Sequence, residues 1–321
     1  MAMNFKNQHI LVTGGTGFIG SHLVEKLIKL DANVISTYQA LKPASYFFSK
    51  KLNEKVIMAM ADVGDFETIY NLVTKFQIDY IFHLAAQPLV EIAYFNPKQT
   101  LYTNILGTIN VLESARLYPH VKGIVIASSD KAYGKLRKNK FIETDPLRGD
   151  HPYEVSKSAT HLISYTYYKT YNLPAVITRF GNTYGEGDLN FSRIIPGMMK
   201  AAINNETLEI RSDGKYIRDY LYVDDVANGY LLLASQIDKV KGEAFNFGSD
   251  EILSVVDLVK LVGKILGKKI NYKVLDNAHN EIPYQALDYT KIKKKLGWEP
   301  KYTFGSTIKK IYNWYISCFK K

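Results

Sequence analysis

Residues 9–20 read HILVTGGTGFIG, a short apolar run followed by glycines at positions 14, 17 and 20. We predict that the run is a β-strand and that an amphipathic helix begins at Phe18, so the glycines occupy a strand-to-helix junction. In such a junction Gly14 allows a tight turn, Gly17 lets backbone amides approach a pyrophosphate, and Gly20 lets helix and strand pack closely. The helix N-terminus adds oriented N–H groups and the positive end of the helix dipole. Together these features predict a dinucleotide-binding turn.

Apolar stretches and helical periodicity alternate through the first 180 residues, a pattern typical of right-handed βαβ units around a parallel sheet. The predicted strands are His9–Thr13, Asn33–Thr37, Val56–Met60, Tyr80–Leu84, Gly123–Ser128 and Ala175–Arg179. The predicted helices are Phe18–Leu30, Phe66–Phe76, Thr100–Leu117 and Pro152–Tyr171. We therefore expect an α/β fold, with a Rossmann-type doubly wound parallel sheet in residues 1–180 and a smaller C-terminal α/β lobe in residues 181–321. The two parts are expected to interleave, because Arg218–Val226 has the pattern of a strand and turn that could return to the first domain.

The composition is that of an ordinary globular protein, with 321 residues of which 46% are hydrophobic and 22% charged, and this excludes a disordered chain. No stretch approaches about 18 consecutive apolar residues, so no transmembrane helix is expected. The sequence reaches its first strand without a segment like a signal peptide. The single cysteine, Cys318, excludes an internal disulfide and a paired-cysteine metal site. We therefore expect a cytoplasmic protein with no membrane partner.

The chain is basic, with 41 Lys and Arg against 31 Asp and Glu and a net charge of +10. Such a surface can attract nucleic acid, a membrane or an anionic small molecule, and lysines scattered over a solvated surface give the same balance. No arginine-rich arm or zinc-finger spacing favours nucleic acid. His151 and His161 lack carboxylate or histidine partners at ligand spacing. We therefore expect neither nucleic acid nor a metal.

The end of the second strand bears on which dinucleotide binds. An acidic residue usually stands there and binds the ribose hydroxyls of NAD, but here Tyr38 takes the place. Lys42, Lys50 or Lys51 could meet the 2′-phosphate of NADP, although exposed loop lysines explain the same residues. Asp62, at the end of the third strand, is placed to bind the adenine amine. The choice between NAD and NADP stays open at this point.

Tyr153 and Lys157 lie one helical turn apart on the same face of a predicted helix. A nearby ammonium favours the tyrosinate and lowers the pKa of a tyrosine from about 10, which makes the phenol a general base for a hydroxyl that loses a hydride. Seven tyrosines have a lysine four residues later, but only this pair opens the helix after the strand that ends at Ser128. That helix can bring Tyr153 and Ser129 to the C-terminal edge of the sheet, where ligands bind.

Further segments occur in the order found in the extended short-chain dehydrogenase/reductase (SDR) family. Besides residues 14–20 and the Tyr153–Lys157 pair, they are HLAA at 83–86, NILGT at 104–108, SSDKAYG at 128–134, RFGNTYG at 179–185, RDYLYVDD at 218–225 and LGWEP at 296–300. The chain resembles this family over nearly its whole length. The resemblance implies a nicotinamide cofactor, a nucleotide-diphosphate sugar as substrate, and a mainly substrate-binding role for the second lobe.

The residues after Ser129 separate the branches of the family. Sugar-nucleotide 4,6-dehydratases carry an acid there, and the dTDP-glucose enzymes have Asp-Glu. The Asp130-Lys131 pair of this chain resembles CDP-glucose 4,6-dehydratases, as do QPLV at 87–90 and GDLN at 187–190. The resemblance therefore implies a 4,6-dehydratase of a nucleotide-diphospho-hexose, of the CDP-glucose or GDP-mannose type.

The reaction implied by the resemblance assigns a role to each residue of the site. Tyr153 takes the proton of the 4-hydroxyl, while Ser129 binds the 4-oxygen and Lys157 holds Tyr153 and the cofactor ribose. Asp130 protonates the departing 6-hydroxyl, and Lys131 or a neighbour handles the C5 proton. Because a carboxyl and an ammonium side by side each favour the other's charged form, these last two roles conflict unless the pair exchanges a proton or bound substrate rearranges the charges.

The expected site has three groups of residues. The predicted catalytic residues are Ser129, Asp130, Lys131, Tyr153 and Lys157. The predicted cofactor contacts are Gly14, Thr16, Gly17, Phe18, Ile19, Gly20, Asp62, Val63, Leu84, Ala85, Ala86, Asn104, Tyr153 and Lys157. The predicted substrate contacts are Gln87, Asn182, Arg193 and Arg218. Forked guanidinium donors suit a diphosphate, although either arginine could form a surface ion pair instead.

Two other functions stay open, together with the state of assembly. A C4 epimerase would use only Ser129, Tyr153 and Lys157, and Asp130-Lys131 argues against it because epimerisation needs no acid for a leaving hydroxyl. A cofactor-binding regulator without turnover is disfavoured by the complete catalytic set. Apolar and aromatic residues on more than one face of the predicted helices Thr100–Leu117 and Pro152–Tyr171 predict a homodimer or homotetramer.

Overall fold

The computed structural model describes residues 4–135, 140–277 and 282–319. Its strands are β1 (His9–Thr13), β2 (Asn33–Tyr38), β3 (Ile57–Met60), β4 (Tyr80–His83), β5 (Gly123–Ala127), β6 (Ala175–Phe180), β7 (Asn182–Tyr184), β8 (Leu208–Ile210), β9 (Ile217–Tyr222), β10 (Ala244–Phe247), β11 (Ile252–Ser254), β12 (Tyr272–Val274) and β13 (Tyr284–Gln285). Its α-helices are α1 (Phe18–Lys29), α2 (Tyr46–Ser49), α3 (Phe66–Lys75), α4 (Val90–Phe95), α5 (Pro97–Leu101), α6 (Gly107–Leu117), α7 (Pro152–Tyr171), α8 (Ile194–Asn204), α9 (Val223–Ser235), α10 (Ile237–Val240), α11 (Val255–Leu266), α12 (Thr290–Leu296) and α13 (Phe304–Phe319). Two 3₁₀ turns cover Leu52–Glu54 and Asp130–Tyr133, and a π-helical segment covers Tyr102–Leu106.

The chain divides into two compact units, of which the first holds residues 1–136, 143–179 and 227–246. Its seven-stranded sheet has the order β10-β6-β5-β4-β1-β2-β3, and the pairings from β3 across to β6 are parallel. The chain order reverses between β1 and β4, which is the point where ligands bind in such sheets. The predicted Rossmann-type α/β fold is confirmed.

The core of the first unit forms because the central strands are apolar on both faces and helices cover them. Buried residues of β1, β4 and β5, such as Leu11, Ile81 and Ile124, belong to one cluster with Ile69 of α3 and Val111 of α6. The helix α3 begins at an Asp65 cap, whose carboxylate accepts from the N–H of Thr68, so its register against the sheet is fixed at its first turn.

Each predicted strand of the first 180 residues is present with its ends within one residue of the prediction. The predicted helix Thr100–Leu117 is different, because α5 and α6 are joined by the π-helical segment Tyr102–Leu106. A π-helical turn accommodates one extra residue and shifts the side chains that follow it. This shift is tied to Asn104, whose side chain leaves the helix surface for partners described below.

The second unit contains residues 137–142, 180–226 and 247–321. Strand β9 pairs with β7, β11 and β13, while β8 and β12 form a separate two-stranded sheet. Buried rings of Tyr184, Tyr220 and Phe304 pack together, with centroids 4.8 and 5.6 Å from that of Phe304. These contacts fasten the start of α13 to the β7–β9 pair.

The prediction that Arg218–Val226 returns to the first domain is wrong. These residues belong to the second unit, where β9 has strand partners on both sides, so its backbone groups are already satisfied there. The segment that returns to the first unit is residues 227–246, which leads into the edge strand β10. The division at residue 180 into a cofactor-binding and a mainly substrate-binding domain stays a prediction as to the roles of the two parts.

Within the described residues, no helix combines the length and the apolar composition needed to cross a bilayer.

A buried histidine joins the middle of the sheet to the helices behind it. His83, the last residue of β4, is 3% exposed, and its Nδ1 lies 2.8 Å from the Thr13 hydroxyl and its Nε2 3.3 Å from the Thr108 hydroxyl. Burial, aided by the positive charge of Lys157, lowers the pKa of His83 from 6.5 to about 3. The imidazole is therefore neutral in the folded protein at any pH above that value.

The His83→Gln variant should lose less stability in mild acid than the wild type. When a histidine pKa is lowered by folding, the unfolded chain takes up the proton first, so stability falls as the pH drops below 6.5 and goes on falling towards the folded pKa of about 3. Between pH 8 and pH 5 this group should account for about 2 kcal/mol of the lost free energy of unfolding. Urea unfolding at a series of pH values measures it, and the exposed His120→Gln variant is the control. An equal pH slope for His83→Gln and the wild type would contradict the assignment.

Candidate active site

The glycine turn after β1 has the shape of a cradle for a phosphate group. Gly14 has a φ of +71°, a conformation that side chains with a Cβ rarely adopt. A Cβ on Gly20 would lie 2.2 Å from the carbonyl oxygen of Gly14, so α1 can approach the turn this closely only with glycine. Helix α1 begins after Gly17 without a side-chain cap, which leaves its first N–H groups available for an anion. The turn therefore fits the pyrophosphate of a dinucleotide.

The end of β4 lies directly beside this turn. The N–H groups of Leu84 and Ala85 donate to the carbonyl and the hydroxyl of Thr13, at 3.2 Å each. A Cβ on Gly14 would lie 3.0 Å from the backbone of Ala85. The predicted cofactor residues Leu84–Ala86 and Gly14–Gly20 therefore meet where the chain order of the sheet reverses.

On the other side of the turn, β2 and β3 end next to one another. Tyr38 is the last residue of β2 and pairs with Met60. The exposed Asp62 accepts from the N–H of Gly64 through Oδ1 at 2.8 Å, and the carbonyl of Val63 accepts from the Asn110 side chain at 2.9 Å. A pocket here is lined by Gln39, Met60, Ala61, Asp62 and Thr68. Its position suits an adenine ring, with Asp62 at its wall.

Helix α7 is fastened to the end of β5 by two hydrogen bonds. The Ser128 hydroxyl donates to the carbonyl of Lys157 at 2.9 Å, and the Lys157 ammonium donates to the carbonyl of Ala127 at 2.8 Å. Burial lowers the pKa of Lys157 to about 8, so the side chain is mostly charged at neutral pH. Its nitrogen lies 6.0 Å from the centre of the Tyr153 ring, a position from which the charge favours the tyrosinate.

The residues after β5 form a single 3₁₀ turn, Asp130–Tyr133, which Ser129 caps. The Ser129 hydroxyl accepts from the N–H of Lys131 at 3.2 Å and donates to Oδ1 of Asp130 at 2.8 Å. Asp130 is 4% exposed, and its Oδ2 is buried without a hydrogen-bond partner. Lys131 is half-buried. The turn therefore presents a serine hydroxyl and a buried carboxyl oxygen in adjacent positions.

Asn104 links the loop after β4 to helix α7. Its Oδ1 accepts from the N–H of Gln87 at 2.8 Å, and its Nδ2 donates to the Gln87 carbonyl and to the Ser156 hydroxyl at 3.2 and 2.9 Å. Ser156 in turn donates to the Tyr153 carbonyl. Asn104 therefore holds the backbone of the loop at Gln87 and the first turns of α7 in place.

The predicted substrate residue Gln87 has its side chain engaged within its own loop. Nε2 donates to the Leu89 carbonyl and the Thr100 hydroxyl, and Oε1 accepts from the N–H of Leu89. The side chain shapes this loop, and a contact between Gln87 and substrate stays a prediction.

The other predicted substrate residues belong to the second unit. Asn182 opens β7 and its Nδ2 donates to the Asp219 carbonyl at 3.4 Å. Arg218 in β9 donates from Nη1 to the carbonyls of Ile217 and Pro283. Arg193 pairs with the buried carboxylate of Asp188 at 3.1 Å, and its side chain is 39% exposed. Arg193 thus forms an ion pair, the alternative to a diphosphate contact.

Among the residues that the structure describes, no group of three or more His, Cys, Asp and Glu side chains could hold a metal ion.

Sequence reasoning assigned no role to several groups that position the site. Thr13, Ser128 and Ser156 make the contacts described above, and each lies next to a predicted site residue. Arg179 is 1% exposed although it carries a charge, and it lies in a strand whose residues are all buried. A charged residue inside a strand buried on both faces is the signal that could have identified it.

The family comparison agrees with this geometry. Residues 11–311 match the family model described as GDP-mannose 4,6 dehydratase. The chain is 31% identical to dTDP-glucose 4,6-dehydratase of Haemophilus influenzae, over 96% of this chain and 98% of the relative. It is 30% identical to CDP-glucose 4,6-dehydratase of Salmonella typhimurium, over 97% of this chain and 91% of the relative.

Solved structures of enzymes with two different activities share the fold. The dTDP-glucose 4,6-dehydratase DesIV of Streptomyces venezuelae, crystallised with NAD, is 26% identical with a TM-score of 0.87 and 97% of each chain covered. The UDP-glucose 4-epimerase of Thermotoga maritima, crystallised with UDP-glucose, is 32% identical with a TM-score of 0.88, over 97% of this chain and all of the other. The predicted resemblance is confirmed, and the chain belongs to the GDP-mannose 4,6 dehydratase family, the nucleotide-sugar 4,6-dehydratases of the extended SDR family.

Proposed function

We propose that this protein converts a nucleotide-diphospho-hexose, with CDP-glucose as the first candidate, to its 4-keto-6-deoxy form. The observation that carries the proposal is the Asp130 carboxyl, which is buried in the turn after β5 with Oδ1 on the Ser129 hydroxyl and Oδ2 without a partner. An epimerase needs no acid for a leaving group, whereas a dehydratase does. The Asp130-Lys131 pair favours the CDP-glucose type, and GDP-mannose remains the second candidate.

The cofactor is NAD, held by the glycine turn, the ends of β3 and β4, and the Tyr153–Lys157 pair. When bound, NAD supplies the hydride acceptor for C4 and the hydride donor for C6. This assignment is supported by the fit of the turn to a pyrophosphate and by the NAD-bound dehydratase structure. Tyr38 stands in place of the usual acid, so β2 ends without a carboxylate for the ribose hydroxyls.

Proton transfer at the 4-hydroxyl is assigned to Tyr153. The buried Lys157 ammonium stabilises the tyrosinate, and its bond to the Ala127 carbonyl fixes its position. Because the pKa of Lys157 is lowered to about 8 by burial, this stabilisation declines as the pH rises through that value. Ser129 donates to the 4-oxygen of the sugar.

Elimination is assigned to Asp130 and Lys131. Ser129 has a single hydroxyl hydrogen, which donates to Asp130 Oδ1 in this structure, so donation to the sugar requires that this bond breaks. A proton that passes from the Lys131 ammonium to the Asp130 carboxylate puts both groups in the forms that elimination requires. The carboxyl then gives this proton to the departing 6-hydroxyl, while the neutral Lys131 amine takes the C5 proton and one water leaves.

Incubation with CDP-, GDP-, UDP- and dTDP-hexoses, followed by mass spectrometry, tests the proposed function. A product lighter by one water is expected from CDP-glucose, because the C5 proton and the 6-hydroxyl are lost together. A product of unchanged mass but altered C4 configuration would identify an epimerase instead. No conversion of any of the four would favour the cofactor-binding regulator.

The Asp130→Asn variant should slow dehydration by about 10²- to 10⁴-fold, the usual contribution of a general acid, while oxidation at C4 persists. Tyr153→Phe should abolish both, because it removes the base for the first step. Product mass reports dehydration, and the transient absorbance of reduced cofactor reports oxidation. If Asp130→Asn and Lys131→Met both dehydrate at near wild-type rates, the residue-level support for a dehydratase is lost.

We infer that the protein assembles as a homodimer through α7 and the helices beside it. Val155 and Leu162, seven residues apart on one face of α7, are 40% and 57% exposed, and Phe95 of α4 is 81% exposed. Apolar side chains at such positions mark an interaction surface. The choice between a dimer and a tetramer, and the cytoplasmic location, stay predictions.

Light scattering at micromolar concentration should give a dimer mass for the wild type and a monomer mass for Leu162→Glu, because a buried unpaired charge opposes association. Val274→Glu, which changes an exposed apolar residue of β12, is the control and should remain a dimer. A monomeric wild type would contradict the inference.

A further inference from the structure

The buried guanidinium of Arg179 is not used by the proposed chemistry. It lies near the end of β6 and is 1% exposed, and its Nε is buried without a hydrogen-bond partner. A guanidinium stays charged in proteins and is costly to bury unless its donors are used. The buried Arg179 guanidinium therefore has the role of holding the side chains to which it donates.

The side chain that Arg179 holds is Tyr133, the last residue of the 3₁₀ turn after β5. Nη1 donates to the Tyr133 hydroxyl, and the guanidinium carbon lies 4.7 Å from the centre of the Tyr133 ring. Nη2 lies 3.1 Å from Nδ1 of His161, and because a guanidinium has only donors, Nδ1 is the acceptor. The Tyr133 hydroxyl donates onward to Oδ1 of Asn246 at 2.8 Å. Tyr133 is thus fixed by a cation–π contact with Arg179 and by its hydroxyl, which accepts one hydrogen bond and donates another.

The 3₁₀ geometry of the turn connects Tyr133 with Asp130. With about three residues per turn, side chains at positions i and i+3 lie on the same side, so a rotation of the turn at Tyr133 moves the Asp130 carboxyl as well. The middle of the turn is held separately, because the Ala132 carbonyl accepts from the Ser158 hydroxyl and from the N–H of Arg148. Tyr133 therefore controls the remaining freedom at the end of the turn.

We propose that Arg179, acting through Tyr133, is a positioning residue that fixes the Asp130 carboxyl for elimination. The proposal rests on the proposed dehydratase function, since elimination is the step that uses Asp130. Tyr153 and Lys157 are carried by α7, and Ser128 fastens them to β5 independently of this contact. The first step, oxidation at C4, is therefore affected less than the second.

Tyr133→Phe and Arg179→Lys test the proposal. The first removes the hydroxyl and keeps the ring, and the second keeps the charge and loses the planar fork. Each should lower the elimination rate by about 10- to 100-fold, the size of effect that a displacement near 1 Å produces, while C4 oxidation stays near the wild-type rate. Rapid-quench mass spectrometry measures loss of water, and the absorbance of reduced cofactor, which should accumulate in both variants, measures oxidation.

Tyr184→Phe is the matched control. Its hydroxyl is also buried and bonded, at 3.0 Å to the Thr307 hydroxyl, but Tyr184 belongs to the second unit, whereas the turn belongs to the first. A merely structural loss would lower the active fraction and slow both steps together. The ratio of elimination to oxidation should therefore change in the Tyr133 and Arg179 variants and not in the control.

Amide hydrogen exchange of the peptide covering residues 129–135 gives a readout that needs no turnover. The N–H groups of Lys131, Ala132 and Gly134 are bonded within the turn, so their exchange should be faster in both variants and unchanged in Tyr184→Phe. If the wild type dehydrates and the variants keep the wild-type ratio of the two rates, the proposal is overturned. If the wild type dehydrates no nucleotide sugar, the proposed function fails. If amide exchange in the turn is also unchanged in the Tyr133 and Arg179 variants, the positioning role of Arg179 and Tyr133 is overturned as well.

Discussion

The attachment of helix α7 to the end of β5 is the contact on which the rest of the site depends. The Lys157 ammonium donates a hydrogen bond to the Ala127 carbonyl, and the Lys157 carbonyl accepts one from the Ser128 hydroxyl. The lysine proposed for the chemistry is therefore also part of the joint between helix and sheet. The Lys157 side chain is buried in this joint, and burial lowers its pKa to about 8. The joint fixes α7, the helix that carries Tyr153, and the Asn104–Ser156 contact holds the same helix from the loop after β4.

The part of the fold that follows from local pattern was predictable. The strands are apolar runs of ordinary length, and a parallel sheet with helices between its strands leaves little freedom in their arrangement. The glycine turn was predictable for a different reason. Only glycine permits the 2.2 Å approach between a Cβ position at residue 20 and the Gly14 carbonyl, so the sequence itself carries the geometry.

Features that depend on distant partners were not predictable. The π-helical turn at Tyr102–Leu106 exists where Asn104 reaches Gln87 and Ser156, and nothing in the helical pattern of residues 100–117 indicates those contacts. The same limit applies to Arg218–Val226, which has the pattern of a strand but no signal for the sheet that it joins. The ion pair of Arg193 with Asp188 was not predictable for a different reason, although its partners are only five residues apart. A contact with a diphosphate would have been an equally good use of the same arginine.

Epimerases and dehydratases share this fold closely, since an epimerase and a dehydratase superpose on the chain with TM-scores of 0.88 and 0.87. Both activities begin by removing a hydride and a proton from a hydroxyl-bearing carbon, which the Tyr153–Lys157 pair on its helix can serve. The difference must then lie in groups that act on the ketone afterwards. In this chain the groups proposed for that part of the reaction, Asp130 and Lys131, stand on one 3₁₀ turn, four residues long, that follows β5. A turn so short has no core of its own, so its geometry must come from outside, through the Ser129 cap at one end and the Arg179–Tyr133 contact at the other. On the proposed assignment, the choice between the two reactions is therefore made by a small element whose shape is set by buried polar contacts, while the sheet and α7 supply what both activities require.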